Sequence, residues 1–257
     1  MFKKFFQLVG VRSMQFLEES GRMAIFLLTA SALVFRRPFN IKNILNQMEE
    51  VGIKSLPVVL ITGAFTGAVL ALQSYIGFSR FNAETFVGSV VALSMTRELG
   101  PVLTGLMVSG RVGSSMAAEL GTMQVTEQID ALYTLAVNPI QYLIVPRLLA
   151  AFIMMPVLVI FTDMIGITGG YIVSVKMLGS NPYSYLERTW NFLQFNDIYS
   201  GLLKACVFGI IIAIISCYQG FYTRGGAEGV GRATTKAVVL SCLFILIFNY
   251  IITALLF

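Results

Sequence analysis

Five long apolar stretches constrain the fold of this chain more than any other feature of its sequence. A transmembrane helix needs about 20 predominantly apolar residues, and each stretch is long enough to cross a bilayer. They run from about Leu56 to Phe78, Thr85 to Thr122, Ile140 to Val175, Ile198 to Tyr218 and Ala237 to Phe257. Charged residues make up only 12% of the chain, about half of the fraction in soluble domains. The sequence therefore predicts an all-α integral membrane protein with five transmembrane helices.

The first twenty residues are predicted to form a helix at the membrane surface. Residues 2–20 carry apolar side chains at roughly helical spacing, with Lys3, Lys4 and Arg12 among them. This pattern is typical of an amphipathic helix that lies in the membrane interface. The alternative from sequence is an ordinary amphipathic helix packed on protein.

The next apolar segment, residues 23–35, contains 13 residues and is too short to cross a bilayer. Glu18 and Glu19 precede it, whereas a signal peptide begins with a short basic region. We therefore expect residues 1–50 to form interfacial or membrane-dipping helices. A single five-span domain then covers residues 54–257.

Three polar segments connect the later spans. VTEQIDALYTLAVNP, residues 125–139, has helical periodicity but is too short and too polar to span a membrane, and Pro139 should end the helix. Residues 176–197 are expected to form a polar connector, and residues 223–236 a glycine-rich loop. The short helix near 125–137 is the kind of element that a permease could dock against a separate ATPase, and a plain interfacial helix is an equal alternative.

The positions of lysine and arginine predict the orientation of the chain. With the N-terminus inside, 13 of these residues flank the spans on the cytoplasmic side, including Arg111 and Arg147 of the central loop, and only three flank them outside. Basic residues are enriched in cytoplasmic loops. The N-terminus and the helix near 125–137 should therefore be cytoplasmic, and the C-terminus should face the periplasm.

Small residues recur every four positions in two of the spans. The rows are Gly63, Gly67 and Ala71 in the first span, and Ser109, Gly113, Ala117 and Gly121 in the second. Such rows allow helix backbones to approach closely in lipid. We interpret them as packing surfaces.

The composition argues against several classes of function. The chain has no histidine, and its three cysteines lie in apolar runs without the spacing of a metal site. GAEGVGRATT, residues 226–235, has two glycines of a phosphate-binding loop but lacks the lysine that must follow them. The net charge of +5 arises from basic residues scattered between apolar runs, unlike a nucleic-acid-binding surface. We therefore predict no catalytic residues, no metal site and no cofactor in this chain.

Polar residues inside the apolar spans are the candidates for function. Arg97, Lys204 and Asn249 lie about 18, 9 and 12 Å from the outer ends of their spans, given a helical rise of about 1.5 Å per residue. Arg97 and Glu98 are neighbours, and adjacent side chains on a helix point about 100° apart, so each needs its own partner. We expect Glu98 to pair with Lys204 and Arg97 to face an interior path where an anionic group can bind. Asp163 is an alternative partner for Lys204, and purely structural helix-locking contacts are the alternative for the whole set.

Nearly the whole chain resembles the MlaE/YrbE family of ABC transporter permeases. The resemblance is carried by LSMTRELGPVLTGLMVSGRVGSSMAAELGTMQVTEQIDALYTLAVNP, together with GRMAIF, GAFTGAVLALQ and GRATTKAVV. It implies a homodimeric permease in the inner membrane of a Gram-negative bacterium that moves phospholipids and maintains outer-membrane lipid asymmetry. ATP and magnesium would bind to a separate ATPase subunit.

The resemblance also implies partners and site residues. The partners would be the ATPase MlaF with the STAS protein MlaB, a periplasmic hexamer of the MCE protein MlaD and, indirectly, the carrier MlaC. The ATPase would contact the short cytoplasmic helix, and the lipid cavity would open outward between the two copies. The residues implied for the coupling helix are Glu127, Gln128, Asp130, Ala131 and Leu132, and those for the cavity are Leu70, Phe78, Phe81 and Arg97.

The polar network of the family maps onto Arg97, Glu98, Lys204 and Asn249. The sequence departs from the family pattern at Asn249, where an aspartate is expected, and this favours a simpler Glu98–Lys204 pair over a three-way salt bridge. The alternative function is a membrane anchor that seats the MCE ring and the ATPase without moving lipid itself.

Overall fold

A computed structural model of the protein describes residues 2–34 and 41–256. Within the first helix, side chains are described at residues 10, 14 and 17–34. The described residues form eleven α-helices: α1 Phe2–Val34, α2 Ile41–Val51, α3 Leu56–Ser79, α4 Val87–Ser94, α5 Gly100–Val108, α6 Ser114–Val125, α7 Gln128–Thr134, α8 Val145–Ile172, α9 Pro182–Phe192, α10 Phe195–Phe221 and α11 Gly226–Leu256. The predicted all-α class is confirmed.

Short π and 3-10 turns join several of these helices into longer rods. The π turns are Met95–Leu99, Ser109–Gly113, Ile140–Ile144 and Val173–Met177, and the 3-10 turns are Ile53–Ser55 and Glu84–Phe86. Five rods among the described residues are long and apolar enough to cross a membrane: span 1 Ile41–Ser79, span 2 Glu84–Val125, span 3 Ile140–Met177, span 4 Phe195–Phe221 and span 5 Gly226–Leu256. The chain is therefore a multi-pass membrane protein, as predicted.

The predicted glycine-rich loop is mostly helical, which corrects the expectation for residues 223–236. Positive φ angles at Gly225 and Gly226 confine the turn to the start of this segment, and α11 begins at Gly226. Inside the helix, the hydroxyls of Thr234 and Thr235 donate to the Gly231 carbonyl oxygen at 2.7 and 3.1 Å. Threonine hydroxyls inside helices commonly bond to the carbonyl one turn earlier in this way.

The predicted polar connector between spans 3 and 4 also contains a helix. Asn181 caps α9, since its side-chain oxygen accepts from the backbone amides of Tyr183 and Ser184 at 2.9 and 3.3 Å. Pro182 occupies the first turn, where a missing amide proton has no cost. The cap and the proline together explain why this polar segment folds.

The N-terminal segment is one continuous helix, α1, rather than a surface helix followed by a separate dip. It packs against spans 3 and 4. On span 4, the ring of Phe26 lies 5.7 Å from that of Tyr218 and 5.9 Å from that of Phe221. Most of the side chains that define the predicted interfacial face of residues 2–20 lie outside the described side chains. Its placement at the membrane surface stays a prediction.

The rows of small residues pack helices together, as interpreted from the sequence. A Cβ atom on Gly67 of α3 would overlap the backbone of Gly166 on α8, so these two helices touch through their glycines. In span 2, Gly113 faces Ser216 and Ala117 faces Gly220, both on α10. Span 4 therefore lies at the centre of the bundle, in contact with spans 2, 3 and 5.

Candidate functional site

A π turn in the middle of span 2 places Arg97 and Glu98 at the crossing with α10. In this turn, Met95–Leu99, the Gly100 amide donates to the Met95 carbonyl five residues earlier. The wider turn interrupts the regular hydrogen-bond ladder, a feature common at functional sites. The carbonyl oxygen of Arg97 accepts instead from Nζ of Lys204 at 2.7 Å. The two charged neighbours therefore sit at an irregular point of the helix.

The predicted ion pair between Glu98 and Lys204 is present. The Lys204 Nζ lies 2.7 Å from Oε1 of Glu98, and the lysine side chain is fully buried whereas that of the glutamate is 37% exposed. Span 5 completes the site, because Asn249 Nδ2 donates to Oε2 at 2.8 Å and Thr253 Oγ1 donates to Oε1 at 2.9 Å. We call Glu98, Lys204, Asn249 and Thr253 the three-span clasp.

Asp163 does not take the place of Glu98 as the partner of Lys204. Its Oδ1 atom is buried and has no hydrogen-bond partner among the described residues. A Cβ atom on Gly100 would overlap this carboxylate, so the glycine after the π turn makes room for it. The alternative pairing considered from the sequence is not realised.

Arg97 has a protein partner that the sequence analysis did not identify. Its Nη2 and Nε atoms lie 2.5 and 2.7 Å from Oδ1 of Asp197. Asp197 is 1% exposed, whereas the arginine side chain is 36% exposed. This corrects the expectation that Arg97 is left for an incoming anion, since a ligand must share or displace the carboxylate.

A local signal for Asp197 exists in the sequence. Its Oδ2 accepts from the Gln194 amide at 2.9 Å, which completes a capping box at the start of α10. An acidic residue three positions after a cap and just before an apolar run is typical of a helix N-terminus. The pattern predicts the cap, but the tertiary contact with Arg97 requires knowledge of the helix crossing.

The residues implied for the lipid cavity are only partly brought together. Leu70 and Phe78 of α3 pack in one apolar cluster with Met95 and Leu99 of span 2, directly beside the charged pair. Phe81 lies apart from this cluster and is 79% exposed. Their roles in lipid binding stay predictions.

The short helix α7 presents the implied coupling residues at the surface. Glu127 adopts a left-handed conformation, φ 60°, ahead of the helix. Ile129 is buried and anchors the helix to the bundle. Of the residues implied for contact with the ATPase, four are exposed and Leu132 is partly buried. The exposed ones are Glu127, Gln128, Asp130 and Ala131. Exposed Tyr133 and Leu135 extend the surface, which combines acidic and apolar groups.

Two arginines that we assigned to the central loop lie within helical rods. Arg147 of α8 is buried, and its Nη2 lies 2.8 Å from Oε2 of Glu119. Arg111 of the second π turn donates to the hydroxyl of Ser55 at 2.8 Å and faces Glu50 at 3.5 Å. Both side chains tie spans together, and the predicted orientation of the termini depends on the remaining basic residues.

Comparison with known proteins gives consistent matches. The family described as "Permease MlaE" matches residues 44–255. A Rickettsia conorii protein named "Probable ABC transporter permease protein" is 56% identical over 97% of this chain and 96% of its own. "Intermembrane phospholipid transport system permease protein MlaE" of Haemophilus influenzae is 37% identical over 100% of this chain and 99% of its own. The chloroplastic protein TRIGALACTOSYLDIACYLGLYCEROL 1 of Arabidopsis thaliana is 41% identical over 84% of this chain and 62% of its own.

Proposed function

The chain belongs to the MlaE permease family, and we propose that it is the membrane subunit that moves glycerophospholipids in an ATP-driven transporter. Membership makes it a permease of an ABC transport system, and we propose that it carries out no enzymatic chemistry of its own. The name of the Haemophilus relative supports phospholipid as the substrate.

The observation that carries the proposal is a partly exposed polar site in the middle of an apolar span. Arg97 and Glu98 keep 36% and 37% of their side chains exposed although the helix around them is apolar on both sides. Charged groups within a membrane generally pair, line a cavity or mark a substrate path. A phospholipid requires apolar walls for its tails and a polar contact for its headgroup, and this position offers both.

We propose that ATP binding by a separate subunit drives the movement. The acidic and apolar surface of α7 is a suitable docking face for that ATPase, which we identify with MlaF in association with MlaB. A change at α7 can shift the population of conformations of the spans to which Ile129 anchors it. In this mechanism the chain supplies the path and the partner supplies the free energy.

The remaining parts of the proposal follow the family assignment. We propose a homodimer in the bacterial inner membrane, with a cytoplasmic N-terminus and a periplasmic C-terminus. Lipid would pass between the inner membrane and an MlaD hexamer, with MlaC as the carrier to and from the outer membrane. Such a route would maintain outer-membrane lipid asymmetry.

The proposal is tested in a reconstituted transporter with fluorescent phospholipid. Leu70→Trp should lower the rate of lipid transfer at least about fivefold, because it fills the cluster beside span 2. Arg97→Ala combined with Asp197→Asn should lower it to a similar extent, because the double change removes the proposed headgroup contact without leaving the buried Asp197 carboxylate unpaired. Leu72→Trp is the matched control, since Leu72 is an exposed residue of the same helix. Unchanged transfer by Leu70→Trp and by the Arg97→Ala, Asp197→Asn double variant in an intact complex would contradict the proposal.

The pairing of Arg97 with Asp197 favours one alternative, a membrane anchor that seats the other subunits without moving lipid. In that case the polar contacts serve only to lock helices. A photoactivatable cross-linker at position 97 separates the two functions. Cross-linking to phospholipid supports transport, whereas cross-linking to protein alone supports the anchor.

A further inference from the structure

Helix α9, which lies between spans 3 and 4, has one buried face and one exposed face. On the buried face, Tyr185 and Thr189 are 3% and 6% exposed. On the other face, Tyr183, Leu186 and Trp190 are 74%, 45% and 75% exposed. Their spacing of three and four residues places these three side chains on the same side of the helix. We call Tyr183, Leu186 and Trp190 the outer face of α9.

The buried face of α9 packs beside span 2 rather than above its end. A Cβ atom on Gly88 would lie 2.8 Å from both the Thr189 Oγ1 atom and the Tyr185 carbonyl oxygen, so the two helices touch at this glycine. Span 2 begins at Glu84. Gly88 is four residues further along, which corresponds to a depth of about 6 Å within the span.

The side chain of Tyr185 reaches further between the spans. A Cβ atom on Gly170 of span 3 would lie 3.0 Å from the Tyr185 hydroxyl oxygen, and the rings of Tyr171 and Tyr185 are 5.5 Å apart. Span 3 ends at Met177, so Gly170 lies about 10 Å inside it. Helix α9 is therefore held level with the terminal turns of spans 2 and 3.

Charged residues mark where the apolar part of these spans ends. Arg80 follows α3, Glu84 begins span 2, and Lys176 lies in the last turn of span 3. The segment of span 2 that α9 contacts, Val87–Ser94, lies on the membrane side of Glu84 and contains no charged residue. A helix packed on this segment lies at the membrane surface or just within it. By the predicted orientation, this is the periplasmic surface.

We infer that the outer face of α9 lies in the headgroup region of the bilayer, with the phospholipid surface as its partner. Tryptophan and tyrosine are enriched at this level because each combines an apolar ring with a polar N–H or O–H group. Interfacial helices bury their apolar face by about 5–10 Å, which agrees with the depth of the contacts between α9 and span 2. The inference does not depend on what the chain transports.

The charge and the neighbours of α9 favour lipid over a protein partner. The helix carries one acid and one base, Glu187 and Arg188, so it has no net charge with which to attract a charged protein surface. Phe195 and Tyr199 in the first turns of span 4 are 90% and 62% exposed. Exposed aromatic rings therefore continue from α9 onto a membrane span, as in the aromatic belts of membrane proteins.

The inference can be tested on the unmodified chain, because Trp190 is its single tryptophan. The full chain is reconstituted in phosphatidylcholine vesicles whose acyl chains carry bromine, a fluorescence quencher, either near the headgroup or near the methyl end. Both leaflets contain the quencher, so the direction of insertion does not affect the result. We expect shallow bromine to lower Trp190 emission at least about twofold and deep bromine to lower it less than about 1.2-fold, as for a ring near the headgroup boundary.

Two variants in a Trp190→Phe background calibrate the depth. Tyr183→Trp moves the tryptophan to another position on the outer face and should show the same preference for shallow bromine. Phe65→Trp moves it to the middle of α3, where Phe65 is 70% exposed, and should show stronger quenching by deep bromine. The two variants separate an interfacial position from one in the hydrocarbon core.

Three results would overturn the inference. Emission from Trp190 that responds to acrylamide in the water but to neither brominated lipid would place α9 in the aqueous phase. Emission that responds to none of the quenchers would show that a second copy of the chain covers the outer face. Stronger quenching by deep than by shallow bromine would place the outer face in the hydrocarbon core.

Discussion

Arg97 and Glu98 are adjacent in sequence, yet their two ion pairs differ in construction. Glu98 belongs to the three-span clasp, where one carboxylate accepts from residues of spans 4 and 5. Arg97 pairs with Asp197, which also caps the first turn of α10. The first pair joins three helices within the bundle, and the second fixes the start of one helix. Neighbouring charges in a membrane span can therefore serve separate purposes when each reaches a different turn of the facing helix.

The two pairs share one asymmetry. In each pair the partner on α10 is buried, with 0% exposure for Lys204 and 1% for Asp197, while the partner on span 2 is more than one third exposed. Removal of a span 2 partner therefore leaves a buried charge uncompensated. Removal of an α10 partner leaves a charge on span 2 that is only partly buried.

The largest expected effect is the loss of stability on Glu98→Gln. This change leaves the buried ammonium of Lys204 without a carboxylate partner and should lower the free energy of unfolding by about 3–5 kcal/mol. Lys204→Met leaves the partly exposed carboxylate with two other donors and should cost only about 1–2 kcal/mol. Thermal unfolding in detergent micelles measures both, with Glu187→Gln as a neutral surface control. A greater loss of unfolding free energy for Lys204→Met than for Glu98→Gln would contradict the expected difference between the α10 partner and the span 2 partner.

An intermediate effect is expected for Gly201→Ala, which acts on both pairs at once. Gly201 lies between Asp197 and Lys204 on one face of α10, and a Cβ atom there would overlap the Thr96 carbonyl oxygen. Overpacking should cost about 1–3 kcal/mol and lengthen both ion pairs.

The matched control for Gly201→Ala is Gly110→Ala in span 2, where a Cβ atom would meet nothing within 4 Å. That change should leave the unfolding midpoint unchanged or raise it slightly, because alanine favours helix by about 1 kcal/mol over glycine. Equal midpoints for the two alanine variants would show that close approach of α10 to the π turn is not required.

The smallest effect is expected for Asn249→Asp, which tests how the clasp tolerates a second acid. The amide of Asn249 donates to Glu98, whereas a carboxylate there would place two negative charges around one lysine. We expect a loss of about 1–2 kcal/mol in the free energy of unfolding at neutral pH. A gain in thermal stability would show that this site favours a three-way salt bridge.

The structure also shows why a charge swap is a poor test of the clasp. Glu98→Lys combined with Lys204→Glu would restore the net charge of the pair. The new carboxylate at position 204 would face the carbonyl oxygen of Arg97, which now accepts from the lysine at 2.7 Å. Because two acceptors repel, failure of the double swap would not disprove the pair. Single replacements by neutral residues of similar size are the better test.

The sequence by itself determined the five spans and the polar residues inside them. It did not determine where spans 1 and 5 begin, which is at Ile41 and Gly226 rather than near Leu56 and Ala237. Length and hydropathy are local properties, and a bilayer imposes them on each segment separately. The pairing of Glu98 with Lys204 was also predictable, since a membrane-embedded lysine requires an acid at similar depth. The helical start of α11 was not, because glycine content indicates a loop whereas α11 begins at Gly226.

Only the tertiary structure decided which charge Arg97 contacts. Asp197 lies in a segment that looks like a connector in the sequence, and its distance to Arg97 depends on how the rods cross. Those crossings are set by close contacts between small residues, such as Gly201 against Thr96 and Gly67 against Gly166. Rotation of one helix by a single residue turns a side chain by about 100°, so partners across helices follow from packing rather than from composition.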